Sequence, residues 1–274
     1  MTQRIIVVCQ ARTGSTRLPR KVMLPLEGKP LVIRFMERVM RSKLATQCVV
    51  AATTDPADDL LVATCLEHGI PVFQGHPTDL LDRHYRAGIA YSADVVVKVP
   101  SDCPLIDPVV VDRIIGNYLA SPADVDYVGN LHPATYPDGN DVELMTMSVL
   151  ERAWHGAHRA HEREHTTPWM WDGNPDVRVR NVAWERGLDY SMSHRWTIDY
   201  PEDYMLVKAV YHELFPTNPQ FGIDDVLDLL ERRPEILALN AHLAGVNWYR
   251  EHLDVLRTIS QEHTRPAPIQ RSHI

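Results

Sequence analysis

Ile5-Ile6-Val7-Val8-Cys9 runs directly into Gln10-Ala11-Arg12-Thr13-Gly14-Ser15-Thr16-Arg17-Leu18-Pro19-Arg20-Lys21, and this junction decides how the chain is read. Five consecutive apolar residues, mostly β-branched, suit a strand buried on both faces of a parallel sheet. The loop that follows then lies at the carboxyl edge of that sheet, where open α/β sheets bind ligands. It carries four cations, one glycine and three hydroxyl side chains, and no acid occurs between Arg4 and Glu27. Guanidinium forks match phosphate oxygens, lysine adds a point charge, and loop N–H groups can cradle an anion. Gly14 permits close backbone approach. The spacing is neither G-x-x-x-x-G-K-S/T nor G-x-G-x-x-G. A merely solvated basic loop is the competing reading. Position after a buried strand, together with the lack of acids, favours a polyphosphate site.

Working outward, strand-like and helix-like runs alternate. Pro30 to Ser42 reads as helix, Cys48 to Ala52 as strand, Asp58 to His68 as helix and Pro71 to Phe73 as strand. Asp79 to Tyr91 is helical, Asp94 to Val99 a strand, and Pro108 to Leu119 a helix. This order predicts an α/β fold built on a mostly parallel, doubly wound sheet. The second half is less regular. Asp126 to Val128, Val177 to Val182 and Arg195 to Ile198 read as strands, Tyr136 to Asp141 as a turn, and Ser148 to about Glu164 as largely helical. Helix resumes after Pro201 and over Asp224 to Leu230. One domain over 1–258 is expected, with a smaller inserted lobe at about 130–195 and a disordered tail at 259–274.

Composition narrows the function classes. The net charge of 28 − 36 = −8 argues against a nucleic-acid partner, so any anion site is a local reversal of charge. No eighteen-residue apolar run and no signal-peptide core occur, which leaves no membrane partner and a cytoplasmic location as the expectation. Cys9, Cys48, Cys65 and Cys103 show no CxxC pairing and read as buried, reduced thiols.

Two acidic turns could hold a metal. Val99-Pro100-Ser101-Asp102-Cys103-Pro104 leaves a buried strand through a proline-stiffened turn, and Arg195-Trp196-Thr197-Ile198-Asp199-Tyr200-Pro201 ends another in the same way. Magnesium takes one or two carboxylates and completes its shell with phosphate oxygens and water. Helix capping is the alternative, and it suits Asp107, Glu202 and Asp203. Asp102 and Asp199 sit a few residues ahead of their helices, where capping explains them less well. A third pattern, His161-Glu162-Arg163-Glu164-His165, satisfies the zinc-hydrolase motif H-E-x-x-H. With fourteen histidines in the chain and no evident third ligand, a chance match is the stronger reading.

These segments together resemble the cytidylyltransferases that make CMP-activated acidic sugars, and most closely their SpsF-type branch. The resemblance covers about residues 4–245. It rests on the basic loop, Asp102-Cys103-Pro104-Leu105-Ile106-Asp107-Pro108, Tyr136-Pro137-Asp138-Gly139-x-Asp141-Val142-Glu143, Arg163-Glu164-His165-x-Thr167-Pro168 and Arg195-Trp196-Thr197-x-Asp199-x-Pro201-Glu202-Asp203. It implies a nucleotidyltransferase fold related to GT-A glycosyltransferases, commonly dimeric, that uses CTP, Mg2+ and an acidic small-molecule acceptor. By resemblance Gln10, Ala11, Arg12, Gly14, Ser15, Arg17, Lys21 and Asp102 bind the nucleotide. Arg12, Lys21, Asp102 and Asp199 serve catalysis, with Asp102 and Asp199 holding the metal. Asp141, Glu143, Arg163 and His165 fall at the acceptor. A GT-A glycosyltransferase working on a ready-made nucleotide sugar is the alternative activity, and a zinc hydrolase through His161 and His165 a second. Three departures stand out: Arg20 replaces a usual glycine, Gln74-Gly75-His76 a usual Arg-Gly-Ser, and Tyr200 a common threonine before Pro201.

Overall fold

The structure is a computed structural model that describes residues 3–266. One sheet holds β1 (Ile5–Gln10), β2 (Gln47–Thr53), β3 (Val72–Gly75), β4 (Val95–Lys98), β5 (Tyr127–Gly129), β6 (Glu143–Thr146) and β7 (Val179–Asn181). Their spatial order is β3-β2-β1-β4-β6-β5-β7, and β6 alone runs against its neighbours. Along β1, Ile5, Val7 and Cys9 join one apolar layer while Ile6 and Val8 join the other. Each such side chain gains about 1.5–3 kcal/mol on burial, so a strand with no polar face demands cover on both sides.

Helices supply that cover. On one face lie α1 (Leu31–Val39), α2 (Asp59–Glu67) and α4 (Pro108–Leu119); on the other lies α3 (Leu80–Ala90). The second half adds α5 (Met147–Gly156), α6 (Ala160–His165) and α7 (Pro168–Trp171), then α8 (Pro201–Leu214) and α9 (Ile223–Arg232). Apolar residues of α5 and α7 pack beside α3, and those of α8 and α9 beside α1 and α4. The four cysteines are free and buried, as expected. Among the described residues no helix is long and apolar enough to cross a membrane.

Several elements differ from the sequence reading. The expected helix over 148–164 is two helices, broken where Ala157 turns extended after Gly156. Glu162 restarts it by accepting the backbone N–H groups of His158 and Arg159 at 3.1 and 3.0 Å. Arg195 to Ile198 forms no strand beyond an isolated bridge from Arg195 to Asp138, because its backbone alternates between two different loops. Trp196 N donates to Asp138 O at 2.6 Å, and Ile198 N donates to Asp102 O at 2.8 Å. Strand β6 is not signalled by the sequence, since it is only four residues long and opens on a charged residue. Segment 130–195 is stitched into the main sheet through β6 and β7. The start of the expected tail is docked: Thr264 is buried and Arg265 N donates to Gly245 O at 2.7 Å, which ties 259–266 to the body. The rest of that tail, 267–274, lies outside the described residues.

Arg20 adopts a left-handed backbone, φ 57° and ψ 28°, at the close of the basic loop, which explains why glycine is usual there. A non-glycine residue in that region costs roughly 1–2 kcal/mol. Arg20→Gly is therefore expected to raise stability by up to about 1 kcal/mol after its own entropic cost, read as a higher urea midpoint. A lower midpoint would show that the arginine side chain contributes more than its backbone costs.

Candidate active site

The carboxyl ends of β1 and β4 open into a cavity of about 930 Å³. The basic loop forms one wall. Its shape is set from beneath: buried Thr13 donates its N–H and hydroxyl to Asp58 at 2.7 and 2.6 Å, and its own carbonyl accepts the N–H groups of Ser15 and Arg20. Asp58, on the turn before α2, also takes the Thr53 hydroxyl, so β2 and the loop are fastened to one carboxylate. A Cβ on Gly14 would meet nothing within 4 Å. The protein itself does not fill the space before that glycine, and the space faces the cavity.

Asp102 and Asp199 meet here. The Ile198 N–H bond to the Asp102 carbonyl joins their two turns, and both carboxylates close on one ammonium. Lys21 Nζ donates to Asp102 Oδ2 at 3.0 Å, Asp199 Oδ1 at 3.1 Å and the Ile198 carbonyl at 2.6 Å. Burial works against the Lys21 charge, but the two carboxylates raise its pKa above the ordinary value. Burial likewise works against ionised Asp199, and Lys21, Arg17 and Arg195 together hold its carboxyl well below the usual range. Arg17 reaches Asp199 Oδ1 at 2.8 Å from the exposed side.

Arg195, to which the sequence assigns no role, organises this end of the cavity. It is 1% exposed. Its guanidinium binds Asp203 at 2.9 Å, Asp199 at 3.0 Å, Asp138 at 3.3 Å and the Val246 carbonyl at 2.6 Å. Gly139, at φ 111°, lets the Asp138 turn touch the backbone: a Cβ there would lie 2.8 Å from Thr197 N. Asp203 also accepts the N–H groups of Asp199 and Tyr200 at 2.9 and 3.0 Å. It thus supplies from inside the first turn the cap that Tyr200 does not. Asp107 caps as expected, accepting Val109 N at 2.8 Å, and Ile223 N binds its other oxygen at 2.8 Å.

The remaining predicted residues line the far end. Because β6 runs antiparallel, its first residue, Glu143, lies at the carboxyl edge directly opposite Lys98. Glu143 pairs with the Lys98 ammonium and accepts the Tyr127 and Thr167 hydroxyls. Burial would raise its pKa, but Lys98 brings it down to about 2. Asp141 accepts only the Gly139 N–H at 3.2 Å, and burial with the nearby charges of Asp102 and Glu143 pushes it up to about 6. Arg163 gives Nε and one Nη to Asp79 at 2.8 and 2.5 Å, and another N–H to the Trp154 carbonyl, so its donors brace α6 against α3. His165 stacks on Trp248, ring centroids 3.8 Å apart, and burial followed by the Lys98 charge lowers its pKa to about 3. Between His165 and Thr167, Thr166 has φ 73° and Thr167 N donates to His165 O at 2.9 Å. That is a strained γ-turn, rare for a β-branched residue.

The geometry does not support the zinc reading: among the described residues no three His, Cys, Asp or Glu side chains group as metal ligands. Magnesium is different, because it needs few protein ligands. Asp102 and Asp199, already converged on a cation beside the basic loop, form a donor set that fits such an ion.

A basic cradle and converging carboxylates at the carboxyl edge of a doubly wound sheet define a nucleotidyltransferase. Residues 6–231 match the protein family described as Cytidylyltransferase, and the chain belongs to that family. It is 30% identical over 237 residues to the spore coat polysaccharide biosynthesis protein SpsF of Bacillus subtilis, covering 84% of this chain and 95% of that protein. Among solved structures it is similar to a cytidylyltransferase from Leptospira borgpetersenii, with TM-score 0.81, 29% identity, and 86% and 97% of the two chains covered. A CMP:2-keto-3-deoxy-manno-octonic acid synthetase complexed with CTP shares the fold at TM-score 0.58 and 18% identity, covering 77% of this chain and 99% of that one.

Two outcomes follow from the buried charges. Removing Arg195 strands Asp138, Asp199 and Asp203, so Arg195→Met is expected to lose about 3–5 kcal/mol of stability in urea unfolding. The second concerns pH. Burial depresses His84 to about 3, His132 to about 4 and His165 to about 3, so below pH 6.5 the unfolded chain binds protons that the folded chain refuses. Stability present above 6.5 is therefore lost as pH falls towards 4. Asp141, raised to about 6, acts in the opposite sense over its own interval, from the ordinary 3.8 to about 6. The urea midpoint should drop between pH 7 and pH 5, and more steeply in Asp141→Asn. A flat profile in both proteins would contradict the assignment.

Proposed function

We propose that this cytidylyltransferase moves CMP from CTP to an oxygen of an acidic sugar or related acidic acceptor, releasing pyrophosphate, with Mg2+ held by Asp102 and Asp199. The observation that carries this reading is the Lys21 ammonium clasped by those two carboxylates beneath the basic loop. A bound divalent cation would polarise the α-phosphate and neutralise charge on the leaving pyrophosphate. The chain's own residues do the rest. Arg12, exposed at the cavity wall, and Arg17 offer guanidinium forks to the phosphates, while Gly14 and Ser15 leave room for them along the loop backbone. Gln10 and Ala11 carry the loop off β1, and Ser101 N donates to Gln10 O at 3.3 Å, which fixes the base of the cradle against the Asp102 turn. Lys21 stays charged and bears part of the departing negative charge.

Charge is the central difficulty of the reaction. An anionic acceptor approaching a triphosphate meets about 4 kcal/mol of repulsion per close pair at 4 Å with an effective dielectric near 20. A cavity that concentrates Arg12, Arg17 and Lys21 in an acidic protein answers this cost. The acidic acceptor is further supported by likeness in fold to the synthetase complexed with CTP, whose name carries such an acid. A homodimer, the state that the resemblance implies, belongs to the same reading, and light scattering in solution measures it.

Incubating the protein and Mg2+ with each of the four nucleoside triphosphates and a panel of acidic acceptors should release pyrophosphate with CTP. A glycosyltransferase would release none from CTP. Asp102→Asn should lower turnover by roughly a thousandfold or more while keeping the unfolding free energy, measured in urea, within about 1 kcal/mol of wild type. Near-normal pyrophosphate release by that folded variant would remove the metal from the reading.

A further inference from the structure

The turn 138–141 is wedged between the two turns that carry Asp102 and Asp199. Asp138 O accepts Trp196 N at 2.6 Å, and Gly139 packs on the Thr197 backbone. On the other side, buried Asn140 accepts the Asp107 N–H on its side-chain oxygen at 3.0 Å. Buried Asn130 closes the loop, donating to Asn140 O at 2.7 Å and accepting Val142 N at 3.0 Å. The backbone on both sides of Asp141 is thereby fixed, while its side chain is hardly used by the fold. Oδ1 accepts the Gly139 N–H at 3.2 Å; Oδ2 has no partner among the described residues and is open to the cavity.

No other half-buried carboxylate of the cavity is left in this state. Asp79, Asp102, Asp138, Asp199, Glu143 and Glu251 each meet a lysine or arginine. Glu164, which has no such partner among the described residues, is exposed. Nor does Asp141 join Asp102 and Asp199 as a third metal ligand, since no three such side chains group in that way among the described residues. Facing it are Asp102 and Cys103 from the turn after β4, Lys98 and Glu143 from the edges of β4 and β6, Asp138 from its own turn, and Tyr249. Burial and the charges of Asp102 and Glu143 push its pKa up to about 6, close to where a proton acceptor works best at neutral pH. The imidazoles are poorer acceptors. Burial lowers His132 to about 4 and His165 to about 3, and His76 spends Nδ1 on the N–H groups of Thr78 and Asp79. His252 lies on a strap, residues 246–252, beyond residue 231 where the family match ends, with its ring among those of His161, His165 and Trp248.

Resting on the reading above, we propose that Asp141 is the general base of the transfer: its Oδ2 takes the proton from the acceptor hydroxyl that attacks the α-phosphate. The O–H bonding pair stays on the attacking oxygen as its bond to the α-phosphorus forms. The bond from that phosphorus to the β-phosphate oxygen breaks, and its electron pair leaves with pyrophosphate. The proton then passes from Asp141 to water. Asp141 stands between Asp102 at one end and the Lys98–Glu143 pair at the other, where an acceptor entering from the far end presents its oxygen. A rigid backbone with one free carboxylate oxygen is the arrangement that proton abstraction requires.

The test follows pyrophosphate release from CTP and Mg2+ between about pH 5 and pH 9. The hydroxyl-bearing acceptors are 3-deoxy-manno-octulosonate, N-acetylneuraminate and glycerate, and the proteins are wild type, Asp141→Asn, Asp141→Glu, His252→Gln and Asp102→Asn. In wild type kcat should climb about tenfold per pH unit on the acid side and then level off. Asp141→Asn can keep the Gly139 contact, so it should still unfold cooperatively in urea at pH 7. It should lose about a hundredfold or more in kcat together with the acid limb, with KM for CTP within about twofold and no rescue by excess Mg2+. Asp141→Glu should recover part of the rate and the limb, and His252→Gln should keep both. Near wild-type kcat in Asp141→Asn, an acid limb that survives there, or rescue by excess Mg2+ would overturn the role of Asp141, as would loss of the limb in His252→Gln. Pyrophosphate release surviving in Asp102→Asn, or absent from wild type with all three acceptors, would instead overturn the reading on which the proposal rests.

Discussion

Everything at this site depends on a single ammonium group placed between two carboxylates. Asp102 and Asp199 leave different turns, and alone at close range they would repel each other by several kilocalories per mole. Lys21 removes that repulsion, and the Ile198 N–H bond to the Asp102 carbonyl makes the approach obligatory. Arg17 and Arg195 flank the pair, so the sign of charge alternates across the floor of the cavity. Such an array keeps Asp199 ionised despite burial, and it gathers cations locally in a protein of net charge −8.

The two ends of the cavity come from different parts of the chain. The end that holds the basic loop is assembled from the loop after β1, the turn after β4 and residues 195–203, all within the stretch that matches the family. The opposite wall comes from α6, α7 and the strap beyond that stretch. Arg195 touches both, since its guanidinium binds Asp199 at one end and the Val246 carbonyl of the strap at the other. The strained γ-turn at Thr166 belongs to this second wall, where it sends the His165 ring to Trp248 and the Thr167 hydroxyl to Glu143.

Much of this was legible in the residues. The β-branched runs at Ile5–Cys9 and Val95–Val97 announced buried parallel strands, and helix boundaries such as Pro108 to Leu119 followed from Pro at the first turn and Asp107 before it. The basic loop stood out because no acid interrupts it. What stayed hidden shares one cause: its partners are remote in sequence. Arg195 has no assignable role in the sequence until Asp138, 57 residues away, and Val246, 51 residues away, close around it. Asp58 looks like a helix-start acid until Thr13 binds it from 45 residues away. Strand β6 was missed because its buried glutamate breaks the apolar pattern, and only Lys98 across the ladder makes that burial tolerable.

By itself, then, the amino-acid order determined the local periodicity, the doubly wound sheet and the identity of the groups at the carboxyl ends of its strands. Those properties follow from side-chain size, branching and capping within a few residues. Tertiary structure alone decided which charges neutralise which, that Arg163 braces two helices, and that residues 246–252 wall the cavity. Pairing and burial set the free energy of an ionised or aromatic group, and both depend on what packs against it from across the molecule.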